Sequence, residues 1–91
     1  MPFTIVQKHR FNDSVITNDA PQKGKGVYGL YDDQGWLAVD EYTNNLEATL
    51  RDILNNNAFS RSPKYFEFEQ CNEDVERASR LAELQTEYLH K

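Results

Sequence analysis

A chain of 91 residues and 10.6 kDa has room for one small domain, and at this size folding buries only roughly 60–65% of the surface that an extended chain exposes. With 38% hydrophobic and 27% charged residues, five Tyr, five Phe and one Trp, it is too aromatic for a disordered chain, and it has no apolar run long enough for a transmembrane helix or a signal-peptide core. The net charge of −5 divides into four Lys/Arg against two acids in residues 1–28 and six against thirteen in residues 29–91, so no basic stripe of the kind that releases counterions from a duplex is present.

In chain order, Phe3 to His9 begins β-branched and aromatic and is a candidate first strand. Asn12 to Gly26 holds two Asn, two Asp, two Gly and a Pro, and reads as a loop in which Val15 and Ile16 anchor an arm to the core. Residues 1–22 are therefore expected as an N-terminal arm and 23–91 as the domain. Lys23-Gly24-Lys25-Gly26 lacks the spacing of a phosphate loop and leads into a strand rather than a helix.

Gly26 to Tyr31 and Trp36 to Glu41 flank the polar turn Asp32-Asp33-Gln34-Gly35 as a hairpin. Asn44 with Glu47 three residues on starts a helix whose Leu46, Leu50, Ile53 and Leu54 share one face, ending at Asn55-Asn56-Asn57. Tyr65 to Gln70 alternates, placing Phe66 and Phe68 on a packed face and Glu67 and Glu69 on a wet one. Asn72 caps a last helix with acids in its first turn and Val75, Ala78, Leu81, Ala82, Tyr88 and Leu89 on its buried side. The fold class is α/β of the α+β type, a small antiparallel sheet with helices in the order (β)-β-β-α-β-α.

A single cysteine, Cys71, excludes an internal disulfide, and histidines only at His9 and His90 permit no zinc pattern. A soluble, cytoplasmic protein without a resident cofactor is expected. Self-association into a homodimer would add buried surface to so small a core.

Gly26-Val27-Tyr28, the hairpin through Trp36-Leu37-Ala38-Val39, and Thr43 to Leu50 with Asn45-Leu46 before the helix resemble the GIY-YIG endonuclease family, as found in bacterial excision repair. The resemblance covers roughly residues 23–91. It implies metal-assisted phosphodiester hydrolysis, in which positive charge is placed where negative charge grows. Tyr28 matches the first tyrosine of that pattern, whereas the second motif falls on Val39-Asp40-Glu41, which has neither tyrosine nor glycine. The arginine position falls on Thr49, and the metal-binding glutamate on Ala82, or on Glu83 if the register slips by one. Arg51 lies about 200° around the helix from Thr49 and leaves from nearly the opposite face.

These departures lead to the expectation of a catalytically inactive GIY-YIG-like scaffold acting as a protein-interaction or regulatory module. Tyr31, Trp36 and Tyr42 are its candidate binding aromatics, and an acidic rim would suit a basic protein partner. The alternative is a divergent nuclease in which Tyr28, Arg51 and Glu83, helped by Asp40 or Glu41, act with Mg²⁺ or Mn²⁺. A third reading is a non-catalytic nucleic-acid binder using Lys8, Arg10, Lys23 and Lys25 of the arm.

Overall fold

A computed structural model of the chain describes residues 3, 8–20, 23–56, 59 and 62–89. Its elements are β1 (His9–Arg10), α1 (Asp13–Asp19), β2 (Gly26–Asp32), β3 (Gly35–Tyr42), α2 (Leu46–Asn55), β4 (Tyr65–Gln70) and α3 (Asp74–Tyr88). The four strands form one antiparallel sheet in the order β1-β4-β2-β3. The Gly-Val-Tyr segment thus lies in an inner strand, with Gly29 opposite Val39 on one side and Glu67 on the other.

Because strand side chains alternate, β2 feeds two separate cores. Tyr28 and Leu30 point to one face, where Phe11, Ile16, Tyr42, Leu46, Leu50 and Phe66 join them under α1 and α2. Val27 points to the other, packing with Phe3, Val39 and Leu84 beneath α3. Fully burying side chains of this kind contributes about 1.5–3 kcal/mol each. The sheet is therefore a wall between two helical layers, which matters for any site that draws on both.

Two glycines let these layers close. A Cβ on Gly29 would lie 2.5 Å from Cζ3 of Trp36 and 3.2 Å from Cε2 of Phe3, so glycine here lets an aromatic stack rest on the backbone. A Cβ on Gly26 would press into the main-chain carbonyl of Glu69 and lie 2.7 Å from the Tyr42 hydroxyl.

The hairpin is tighter than its composition predicts. Asp32 pairs with Gly35, leaving Asp33-Gln34 as the turn, and the Asp32 carboxylate accepts from the amides of Gln34 (2.8 Å) and Gly35 (3.1 Å). Leu37 is an extra residue on β3, between the pairs Leu30–Ala38 and Tyr31–Trp36. At the sheet edge, Gln85 Nε2 of α3 donates to the Val39 carbonyl (3.1 Å) and the Asp40 carboxylate accepts from the Glu41 amide (2.8 Å).

Four local expectations are corrected. The segment read as a loop after Asn12 contains α1, because the Asn12 side chain accepts from the Val15 amide and Ile16 becomes fully buried. In α2 the cap is Asn45 rather than Asn44, accepting from the Ala48 amide at 3.1 Å. The cap of α3 is Glu73 rather than Asn72, without a side-chain cap bond. The buried stripe of α3 is rotated: Arg77 and Leu84 are buried and Leu81 and Tyr88 half-buried, while Val75, Ala78, Ala82 and Leu89 are exposed. Of the candidate strand at Phe3 to His9, residues 4–7 lie outside the described residues, as does Asn57 at the end of the second helix.

Candidate functional site

Tyr28 sits opposite Asp40 on the α1–α2 face of the sheet and is 5% exposed. Burial, with the Asp40 charge adding to it, pushes its phenol up to about 12. A phenolate is thus harder to form here than in water, the reverse of what a base at neutral pH requires. Burial likewise pushes Tyr42 up to about 12, with Cys71 adding to it. Neutral tyrosine is favoured in the folded state, so this stabilisation is complete below pH 10, the ordinary value, and is lost as pH rises from 10 toward 12. Melting temperature is expected to fall steeply across that interval, with phenolate absorbance at 295 nm rising in step with loss of circular dichroism. A flat melting temperature to pH 12 would contradict the burial of these phenols.

Of the acidic candidates, Asp40 faces Tyr28 while Glu41 and Glu83 do not converge with it. Asp40 and Glu41 are adjacent on β3 and leave from opposite faces. Glu41 accepts from Nε of Arg77 on α3 at 3.2 Å. Glu83 lies on α3, across the sheet from Tyr28, and pairs with Arg80 at 3.7 Å. Among the described residues, no group of three or more His, Cys, Asp or Glu side chains is placed to hold a metal ion.

Arg51 shares the Tyr28 layer but is turned toward α1. Its Nε donates to Asp13 (2.9 Å), Nη1 to Glu47 (3.1 Å) and Nη2 to the Thr17 hydroxyl. It therefore bridges α1 and α2 rather than presenting a free guanidinium to phosphate. Thr49, at the position of the family arginine, donates its hydroxyl back to the Asn45 carbonyl at 3.0 Å. Ala82 is exposed on α3.

The three candidate binding aromatics are not an exposed cluster. Tyr42 is 2% exposed on the α1–α2 face, and its hydroxyl has no hydrogen-bond partner among the described residues. Tyr31 is buried on the α3 face and stacks on half-buried Trp36 at 4.3 Å between centroids. Trp36 continues to Tyr88 at 3.9 Å, and Phe3 lies 5.7 Å from both. The Phe3 amide donates to the Tyr88 hydroxyl at 3.0 Å. Aromatic residues at this spacing form part of the core beneath α3.

Alternation alone missed the charged groups that organise this layer. Glu67, expected on a wet face, is 1% exposed and accepts from the Lys8 amide (2.8 Å) and the Tyr31 hydroxyl. Burial, and then the hydrogen bond to Glu67, push the Tyr31 phenol well above its ordinary value. Arg77 is buried between Glu41, Asp74 and the carbonyls of Cys71 and Asn72. Its hydrogen bond and charge hold the Asp74 carboxyl below the usual range. Arg80 binds Glu69 through Nε (2.8 Å) and Nη2 (2.6 Å). For Arg77 the signal was the spacing 77, 81, 84, 88, a helical stripe whose first member is charged.

No protein-family model, curated protein or solved structure matches the chain.

The basic residues of the arm are likewise dispersed. Arg10 pairs opposite Tyr65 at the start of β4, and Lys8 Nζ lies 5.8 Å above the Tyr65 ring. The Lys25 carbonyl instead accepts from the Cys71 amide just beyond the end of β4. These two groups are about 20 Å apart along the strand, too far to act as one patch on a single phosphate. No helix among the described residues is long and apolar enough to cross a membrane.

Proposed function

We propose that the chain is a catalytically inactive GIY-YIG-like domain that works as a protein-binding module for a basic partner. The observation that carries this reading is the separation of the chemical candidates. Tyr28 and Asp40 lie on one side of the sheet, Glu41 and Glu83 belong to the α3 side, and Arg51 is held by Asp13, Thr17 and Glu47. Support for the scaffold itself comes from the inner position of the Gly26-Val27-Tyr28 strand, its hairpin partner β3, the helix that follows, and the flanking strand β4. Support for a basic partner comes from the excess of thirteen acids over six Lys/Arg in residues 29–91.

Purified protein is expected to leave single-stranded, duplex and branched DNA, and RNA, uncut in Mg²⁺ or Mn²⁺. Cleavage that disappears in Tyr28→Phe would overturn the inactive reading, because it would mean that substitute ligands assemble around that phenol.

A further inference from the structure

We draw no further inference here: the strongest candidate, the exposed apolar stripe of Val75, Ala78, Ala82 and Leu89 on the outward face of α3, carries nothing because nothing in the structure shows what covers it.

Discussion

Gly26→Ala is expected to lower stability by about 3 kcal/mol and the melting temperature by about 12–24 °C. The added methyl has nowhere to go. Its neighbour on one side is the carbonyl of Glu69, a backbone atom that cannot swing away, and on the other the buried Tyr42 hydroxyl at 2.7 Å. Relief requires β2 and β4 to separate where Gly26 pairs with Gln70 and Val27 with Glu69. For a domain of 91 residues, whose total stability is on the order of 5–10 kcal/mol, that is a large share of the whole. Urea unfolding followed by circular dichroism measures it, and a midpoint equal to that of the parent would mean that the two strands are not in this register.

The second large effect is expected at Glu67. Glu67→Ala removes the acceptor for the Lys8 amide and the Tyr31 hydroxyl together and leaves a void in a layer that excludes solvent. Two orphaned donors and the cavity together cost about 3 kcal/mol. Glu67→Gln retains the volume and one carbonyl acceptor but places an amide donor where two donors already point, so a smaller loss of about 1–2 kcal/mol is expected. Urea denaturation of both variants should rank parent, Gln, Ala in falling stability. If the alanine variant were as stable as the parent, Glu67 could not be the buried junction between the Lys8 segment and the sheet.

The elements with a single dominant period were legible from the amino-acid pattern. Leu46 and Leu50 do share the buried face of α2, and Phe66 does point into the core. Legibility ended where a pattern says which residues share a face but not what covers it. The alternation of Tyr65 to Gln70 separates Glu67 from Phe66 correctly, yet it cannot reveal that Phe3, Trp36 and Tyr88 stack over the same side of the sheet from distant parts of the chain. In α3 two apolar stripes compete, and counting every apolar residue as buried merges Leu81 and Tyr88 with Val75, Ala78, Ala82 and Leu89 and leaves Arg77 outside. The structure reverses this because Glu41 and the Cys71 and Asn72 carbonyls satisfy the guanidinium once it is buried. The short α1 was hidden by the Asn and Asp that usually mark turns, one of which is its cap. Among the candidate site residues, the hairpin that carries Tyr28 was legible, but the extra residue Leu37 that sets Asp40 opposite it was not, and the partners of Arg51 come from α1, a helix that composition did not announce.

The border of the sheet at β3 bears on how the protein behaves at high concentration. An eight-residue outer strand is ordinarily a template on which other molecules add strands and build aggregates. Here Leu37 breaks the repeat, Gln85 occupies the Val39 carbonyl, Asp40 occupies the Glu41 amide, and adjacent carboxylates close the strand's far end. An incoming strand would have to displace a side chain anchored on α3, realign around the extra residue and bring its backbone beside the Asp40 carboxylate. The β3 border of the sheet is therefore guarded against strand addition.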